Sequence, residues 1–253
     1  MSFLRAQLRR LAYVPGLARL GALVEDRSDL RRLTGSPELA RATREQLDAC
    51  RTVADYIRFI RPLLHPTQVD SEIAGLLQLA TERRVERIIE IGTAQGGTTF
   101  LLSRAIPSTR WTLSIDLRPR HTRVLRFFNQ PERTFHALGG SSIGPAVLQR
   151  VESLLAGAPV DLLFIDGDHS YEGVKADLAH YRRFVRPGGL IVFHDIVPVT
   201  ETGAPTAGHR WVGGVPKFWQ EVRGQGSRSW EFVESWDQGG FGIGVIENGP
   251  ATA

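Results

Sequence analysis

Ionisable residues cluster where one apolar stretch of the sequence ends. In LLFIDGDHSYEG (162–173), four apolar residues lead directly into Asp166, Asp168 and His169. An imidazole has an ordinary pKa near neutrality, so His169 is the favoured general base and Asp168 the alternative. Each also has a structural interpretation, Asp168 as a turn or cap residue and His169 as the cap of the following helix. The segment therefore predicts acid–base or cation-binding chemistry.

A second apolar stretch, GGLIVFHD (188–195), ends in a similar way with His194 and Asp195. If the two stretches are neighbouring parallel strands, about 4.8 Å apart, Asp166 and Asp195 meet at one edge of the sheet. Two carboxylates that close repel each other unless a proton or a cation lies between them. Oxygen ligands favour Mg²⁺ or a similar hard ion, whereas a nitrogen from His194 favours a transition metal. His194 can alternatively hold Asp195 in place.

The elements that must position these residues follow an alternating pattern. Short apolar strands alternate with helices, which is typical of a parallel sheet covered on both faces. Strands are predicted at 87–92, 111–116, 134–138, 160–166 and 188–195, with two more at 230–236 and 241–247 joined by a Gly-bearing loop. The predicted fold is a Rossmann-like, doubly wound α/β sheet of seven strands, mostly parallel, with a C-terminal antiparallel hairpin.

A glycine-containing turn follows the first strand in the sequence EIGTAQGGTT. Gly92, Gly96 and Gly97 let the backbone turn sharply and approach a ligand, and Asp116, at the end of the second strand, is placed to accept hydrogen bonds from ribose hydroxyls. The spacing is neither Gly-x-Gly-x-x-Gly nor a Gly-Lys-Ser/Thr loop, which excludes the usual dinucleotide and ATP phosphate loops. Glu90 would repel a pyrophosphate and suits a cationic or zwitterionic cofactor.

The turn from Glu90 to Gly97, together with Asp116 and the order of strands, resembles the class I S-adenosylmethionine-dependent methyltransferases over roughly residues 70–247. The resemblance implies S-adenosylmethionine as the cofactor, bound by Glu90, Gly92, Gly96, Gly97 and Asp116. Many relatives carry an acid after the third strand that accepts the adenine amino group. This chain reads LGGSSIG there, which makes Ser141 the candidate for that contact.

The segments DGDHSYEGVKADL and GGLIVFHDI resemble a branch of metal-dependent O-methyltransferases that includes catechol and macrolide-sugar enzymes and relatives of a cephalosporin-modifying enzyme. The resemblance implies that Asp166 and Asp195 bind a divalent metal such as Mg²⁺, with His194 at a position that is often Asp or Glu in relatives. It implies His169 or Asp168 as the base. The expected acceptor is a small-molecule hydroxyl on a sugar or another product of natural product biosynthesis.

Two other functions are compatible with the same residues. One is a different metal-dependent enzyme on this fold, and the other is a non-catalytic subunit that keeps the cofactor pocket. Binding of S-adenosylhomocysteine separates the methyltransferase from the first alternative. An exchange of Asp166 that costs no activity would favour the second.

The N-terminal segment differs in charge from the rest of the 253-residue chain. Residues 1–66 hold 12 Arg and 7 Asp or Glu, a balance of +5, whereas residues 67–253 have a balance of −1. We expect a helical N-terminal arm (1–66) and a methyltransferase domain (67–253). The arm is expected to pack on this domain or on a second subunit, as in a homo-oligomer, or to lie on a membrane surface. The near-neutral domain argues against nucleic acid as a partner.

Three further features complete the sequence-based prediction. Cys50 is the one cysteine, so an intrachain disulfide is excluded, and no run reaches the roughly 20 apolar residues of a membrane span. A cytoplasmic location is therefore expected. The irregular segment 197–219 suggests a lid or acceptor pocket. Trp211, Phe218 and Trp219 are expected either to line that pocket or to pack in the core.

Overall fold

The computed structural model of the protein describes residues 30–31, 33–199, 212–225 and 228–249. Its centre is a seven-stranded sheet in the order β3-β2-β1-β4-β5-β7-β6. The strands are β1 (Arg87–Ile91), β2 (Trp111–Asp116), β3 (Thr134–Gly139), β4 (Val160–Ile165), β5 (Val185–His194), β6 (Ser229–Phe232) and β7 (Ile243–Glu247). Strands β1 to β5 are parallel to one another, and β7 pairs antiparallel with both β5 and β6. The predicted sheet is confirmed, including its antiparallel C-terminal part.

Helices cover both faces of this sheet. They are α1 (Pro37–Asp48), α2 (Val53–Leu64), α3 (Asp70–Glu82), α4 (Gly97–Arg104), α5 (Thr122–Phe128), α6 (Pro145–Leu155), α7 (Tyr171–Tyr181) and α8 (Val215–Val222), and a short 3₁₀ turn (Arg182–Phe184) follows α7. Alternate residues of each strand point to opposite faces, so Ile88 and Phe164 pack under α2 to α5, while Ile89 and Leu163 pack under α6 to α8. Both faces are dry because both are covered.

The described part of the N-terminal segment packs in the helical layer that α2 to α5 form on one face of the sheet. Helix α2 begins with a reciprocal cap between Thr52 and Asp55, which satisfies backbone N–H groups that the first turn leaves open. It buries Ile57, Ile60 and Leu64 in the same cluster as the sheet residues. The packing of an arm on the main domain is therefore seen for α2. The domain boundary at residue 66 and a homo-oligomer formed through the arm stay predictions, and residues 1–29 of the predicted arm lie outside the described residues.

The C-terminal hairpin has shorter strands and a longer connection than predicted. Strand β6 ends at Phe232 and β7 begins at Ile243. The connection is held by Glu72 of α3, which is almost fully buried and accepts hydrogen bonds from the backbone N–H of Glu234 (3.2 Å) and Gly242 (2.9 Å) and from the side chain of Gln238 (2.7 Å). The contacts with Glu72 satisfy backbone N–H groups of the connection that pairing between longer strands would otherwise satisfy.

Across the described ranges, none of the helices has both the length and the apolar character needed to cross a bilayer. Cytoplasmic location and the lack of a nucleic acid partner stay predictions.

Candidate active site

The cavity at the carboxyl ends of β1 to β4 is the candidate site. Strand order reverses between β1 and β4, which is where open α/β sheets bind ligands. The cavity has a volume of about 440 Å³. Its walls include Gly92, Ala94, Asp116, Leu117, Gly140, Ser141, Ser142, Ile143, Asp166, Gly167, Asp168, His169 and Asp177. Four βα loops therefore contribute to one pocket.

The turn after β1 shapes one wall of this cavity. Gly92 has φ +92°, and a Cβ added there would lie 1.9 Å from the carbonyl oxygen of Asp166, so the two strand ends touch backbone to backbone. Gly96 (φ +86°) begins α4 in the left-handed conformation. A Cβ at Gly97 would lie 2.4 Å from the backbone nitrogen of Pro66. Gly92 lines the cavity, whereas Gly96 and Gly97 support the turn from behind.

Asp116 ends β2 and lines the cavity, and its contact with a ribose stays a prediction. Its Oδ2 accepts a hydrogen bond from the N–H of Ala94 (2.9 Å), and its Oδ1 accepts one from the N–H of Arg118 (2.7 Å). These bonds fix the carboxylate, and each oxygen keeps a lone pair for a ligand. Leu117 and Ile143 line the same cavity although they are 73% and 44% exposed. Exposed apolar side chains on a cavity wall suit a flat apolar ligand surface, and the sequence analysis missed both.

Glu90 lies behind the glycine turn and not on the cavity wall. Its side chain is fully buried, and its Oε2 accepts a hydrogen bond from the hydroxyl of Thr99 on α4. Burial raises the pKa of Glu90 to about 8, against the opposing effect of the Thr99 hydrogen bond and with smaller contributions from the charges of Asp166 and Asp116. The carboxyl group is therefore neutral at pH 7. Its contact with a cofactor stays a prediction, and that contact would have to run through the turn.

The acids at the ends of β4 and β5 converge as the topology requires. Ile165 pairs with Phe193, so the residues that follow them are neighbours. Nδ1 of His194 lies 3.1 Å from Oδ1 of Asp166 and 3.4 Å from Oδ1 of Asp195. Asp195 is fully buried and adopts φ +65°, a strained conformation for a residue other than glycine.

His169 lies between the same two carboxylates. Its Nε2 is 3.3 Å from Oδ1 of Asp166, and its Nδ1 is 3.3 Å from Oδ2 of Asp195. Asp166, His169 and Asp195 each offer one ligand atom, and these atoms all lie within 4.8 Å of one another. The structure therefore places Asp166, Asp195 and His194 close together, and their role as metal ligands stays a prediction. It adds His169 to the cluster at a position facing both acids.

The electrostatics of this cluster favour a cation. Burial by itself would raise the pKa of Asp166, but the charges and hydrogen bonds of His194 and His169 hold that pKa well below its ordinary range. Oδ2 of Asp195 has no hydrogen-bond partner among the described residues. Its contact with Nδ1 of His169 is short enough for an ion pair but is not a hydrogen bond. One buried and one partly buried carboxylate, with an open oxygen and a neighbouring imidazole, form a donor set that fits a divalent ion.

Asp168 stands apart from this cluster, although it lines the cavity. Its Oδ1 accepts a hydrogen bond from the N–H of Ser170 (2.8 Å), and the hydroxyl of Ser170 in turn caps α7 by accepting from the N–H of Gly173 (2.9 Å). This arrangement is the turn interpretation of Asp168. Its role as the base stays a prediction.

Gln68 is a site residue that sequence reasoning missed. It lies between α2 and α3 and is 2% exposed. Its Nε2 donates to Oδ2 of Asp166 (3.1 Å), and its Oε1 accepts from the hydroxyl of Thr98 (2.6 Å). Gln68 therefore orients Asp166 from 98 positions away in the sequence, and no local pattern signals such a contact.

The aromatic residues proposed for an acceptor pocket divide into two groups. Trp211 lies outside the described residues. Phe218 and Trp219, on α8, are packed in the core, and the indole N–H of Trp219 donates to Glu231 (2.7 Å). For these two residues the packing interpretation is the one observed.

Comparisons with known proteins agree with this geometry. Residues 89–196 match a family model described as a methyltransferase domain. This range contains both strand-end acids and all the residues that line the cavity. The stretch from residue 89 to residue 196, which is less than half of the chain, therefore resembles a methyltransferase domain. Within that stretch lie Gly92, Asp116 and Ser141, as well as the cluster around Asp166.

The curated proteins similar to this chain include two that are named as O-methyltransferases, one of them putative. The chain is 30% identical to a catechol O-methyltransferase from Mycobacterium tuberculosis over 122 residues, which is 48% of this chain and 53% of that protein. The chain thus spans about half the length of that curated relative.

Solved structures show the same fold. The O-methyltransferase TomG from Streptomyces achromogenes, which is involved in tomaymycin synthesis and was solved in complex with S-adenosylmethionine, has a TM-score of 0.54 at 22% identity over 81% of this chain and 90% of that one. The Bacillus cereus O-methyltransferase in complex with S-adenosylhomocysteine has a TM-score of 0.54 at 20% identity over 82% and 97%.

Proposed function

We propose that the chain is an S-adenosylmethionine-dependent, divalent-metal-assisted O-methyltransferase that acts on a hydroxyl group of a small molecule, such as a sugar or another natural product. The observation that carries the proposal is the pair of strand-end carboxylates, partly buried Asp166 and fully buried Asp195, beside a cavity of about 440 Å³. That cavity is large enough for a nucleoside, and it lies within the stretch that resembles a methyltransferase domain.

The cofactor would lie along the loops that follow β1, β2 and β3. Gly92 and Ala94 line the cavity with little side-chain bulk, so the cofactor can approach the backbone closely there. Asp116 accepts hydrogen bonds from the ribose hydroxyls. Ser141 also lines the cavity. Glu90 supports this turn from behind, since it is buried and bonded to Thr99.

Asp166, Asp195 and His169 would hold the metal, because their ligand atoms are already close together. His194 and Gln68 orient the carboxylate of Asp166 through contacts of 3.1 Å each. A bound divalent ion lowers the pKa of an acceptor hydroxyl and orients it for in-line attack on the sulfonium methyl group.

His169 has two roles that suit its position. One ring nitrogen can bind the metal, since each faces a carboxylate oxygen at 3.3 Å. Alternatively, the ring lines the cavity and can accept the proton of the acceptor hydroxyl. Exchange of His169 for Gln separates the two, because a ligand is needed for Mn²⁺ affinity whereas a base is needed only for turnover.

The test measures cofactor and metal binding separately. Calorimetry with S-adenosylhomocysteine and electron paramagnetic resonance with Mn²⁺ are applied to the wild type and to the Asp166→Asn and Asp195→Asn variants. Glu172→Gln is the matched control, because Glu172 is an exposed acid on α7 outside the cluster. We expect the wild type and the control to bind both ligands, and the two Asn variants to lose at least tenfold in Mn²⁺ affinity while still binding S-adenosylhomocysteine.

Four results would contradict the proposal. No binding of S-adenosylhomocysteine by the wild type would favour a different metal-dependent enzyme on this fold. Equal Mn²⁺ affinity in all four proteins would show that Asp166 and Asp195 do not bind the metal. Methyl transfer to a panel of sugars and phenols that is unaffected by Asp166→Asn would remove the proposed role of the carboxylates, and no transfer by the wild type would favour a non-catalytic cofactor-binding subunit.

A further inference from the structure

The two acids of the cluster are both linked to the start of helix α3, although they end different strands. Asp166 follows β4, and Asp195 follows β5. Gln68, two residues before α3, donates a hydrogen bond directly to Oδ2 of Asp166 (3.1 Å). Asp195 is reached from the first turn of the same helix by a longer route, which begins at Glu72.

That route runs through two neighbouring backbone N–H groups. The N–H of Phe241 donates to Oδ1 of Asp195 (3.2 Å). The N–H of Gly242, the next residue, donates to Oε2 of Glu72 (2.9 Å). These two residues of the chain therefore lie between the two carboxylates and are bonded to both. Loss of the acceptor at Glu72 would release the backbone segment that orients Asp195.

Backbone strain at this contact indicates that its geometry is imposed by the surroundings. Asp195 has φ +65° and Phe241 has φ +61°, so both partners of the hydrogen bond are non-glycine residues in the left-handed region. Such conformations persist only where neighbouring contacts determine them, and they are frequent at functional sites. On one side, the N–H of Val197 donates to the carbonyl oxygen of Phe241 (3.0 Å). On the other side, Glu72 holds the following residue.

Glu72 suits this task because of its burial and its several hydrogen bonds. The residue is 1% exposed. Besides the N–H of Gly242, its carboxylate accepts the backbone N–H of Glu234 (3.2 Å) and the side-chain amide of Gln238 (2.7 Å). Three donors from the connection between β6 and β7 (233–242) thus converge on one buried carboxylate. The position of the connection therefore depends on Glu72.

Both links to the cluster start from a rigid part of the fold. The first turns of α3 bury three large apolar side chains in the core, those of Ile73, Leu76 and Leu77. The same helix start holds Asp166 through Gln68 and Asp195 through the connection. A cation site needs its donor atoms placed within about 0.5 Å, and the residues that support the ligands supply this precision.

We propose that Glu72 is a positioning residue for the divalent cation and acts on Asp195 through the N–H of Phe241, so that the start of α3 sets the spacing of both acids. The inference rests on the proposed function, since it needs Asp166 and Asp195 to bind the cation. It assigns a role in the site to a residue that lies outside the 89–196 stretch and belongs neither to the cavity wall nor to the cluster.

The test measures Mn²⁺ affinity by electron paramagnetic resonance and S-adenosylhomocysteine affinity by calorimetry, in the full chain. Glu72→Ala removes all three acceptor contacts, whereas Glu72→Gln keeps the size of the side chain and one acceptor oxygen. Leu155→Ala is the matched control. Leu155 is buried on α6, on the opposite face of the sheet, so its truncation also lowers stability but leaves the connection intact.

The cation and the cofactor product should respond differently. We expect Glu72→Ala to weaken Mn²⁺ binding by about 10- to 100-fold and Glu72→Gln by about 3- to 10-fold, because the loss of a residue that orients a ligand has effects of this order. Both variants should bind S-adenosylhomocysteine within about twofold of the wild type, since the contacts of Glu72 lie away from the cavity. Leu155→Ala should keep both affinities within about twofold. A merely structural role of Glu72 would lower stability without this selective loss of Mn²⁺ affinity.

Each contrary outcome has a distinct meaning. Wild-type Mn²⁺ affinity in both Glu72 variants overturns this inference and leaves the proposed function standing. The same holds if the Glu72 variants lose both affinities by the same factor, or if Leu155→Ala loses as much Mn²⁺ affinity as Glu72→Ala. A wild type that binds no Mn²⁺ overturns the proposed function and this inference together. Glu72→Gln decides the matter by itself if Glu72→Ala does not fold.

Discussion

Exchange of Glu90 for Gln should change how the stability of the protein depends on pH. Glu90 is fully buried in β1, and its pKa is raised from the ordinary value of 4.5 to about 8, mainly by burial. Below pH 4.5 the group is protonated in the folded and the unfolded chain alike, so it costs nothing. Between the two pKa values only the unfolded chain releases the proton, and the free energy of unfolding falls as pH rises.

The magnitude follows from the size of that shift. Each pH unit within this window costs about 1.4 kcal/mol, so the wild type should lose about 3 kcal/mol between pH 4.5 and 7, and about 5 kcal/mol by pH 8. Gln cannot ionise, and its amide oxygen can still accept the hydrogen bond from Thr99. Any fixed cost of burying the amide shifts the whole curve without changing its slope.

Urea unfolding between pH 5 and 8.5 measures the difference between the two proteins. Titration of the histidines and of Asp166 is common to both and cancels to first order. The advantage of the Glu90→Gln variant should therefore grow with pH and level off above pH 8. Glu172→Gln, an exchange of an exposed acid, should run parallel to the wild type. Parallel curves for Glu90→Gln as well would refute the assignment of a neutral, buried Glu90.

Three further exchanges test the packing around the site, each by urea unfolding. Gly92→Ala forces a Cβ into a backbone contact at positive φ, so it should prevent folding or cost several kcal/mol. Gly157→Ala is the control, because Gly157 also has a positive φ but has nothing within 4 Å of an added Cβ, and this exchange should cost only about 1 kcal/mol. Equal costs for the two exchanges would contradict the close approach of Gly92 to Asp166. Glu72→Ala removes the acceptor of the hairpin connection and should cost about 2–3 kcal/mol and expose 233–242 to proteolysis. Ile60→Ala should cost about 2–5 kcal/mol, and a cost below 1 kcal/mol would show that α2 is not part of the core.

The convergence of Asp166 and Asp195 was predictable because it follows from topology. Two apolar runs that each end in an acid become neighbouring parallel strands, and their carboxyl ends then share one edge. The same reasoning placed Asp116 beside the glycine turn. In both cases the position depends on the backbone of regular strands, which sequence periodicity specifies well.

Positions that depend on loops or on distant segments were not predictable. The loop conformation that turns His169 towards both carboxylates is set by the cap at Ser170 and by the packing of Gly173, neither of which implies a direction for the imidazole. Gln68 reaches Asp166 across the fold from an irregular segment. The burial of Glu90 could have been predicted from the sequence. Both faces of a central parallel strand are covered, so any acid within such a strand must be buried.

The place of β7 in the sheet sets an order for assembly during synthesis. This strand lies between β5 and β6, and the N–H of Phe241, just before it, donates to Oδ1 of Asp195 (3.2 Å). A ribosome that has released residues up to the end of α7 has already supplied every wall of the candidate cavity, while the segment that steadies Asp195 is still to be translated. Nascent chains of increasing length should therefore gain affinity for the nucleoside first and for the cation last.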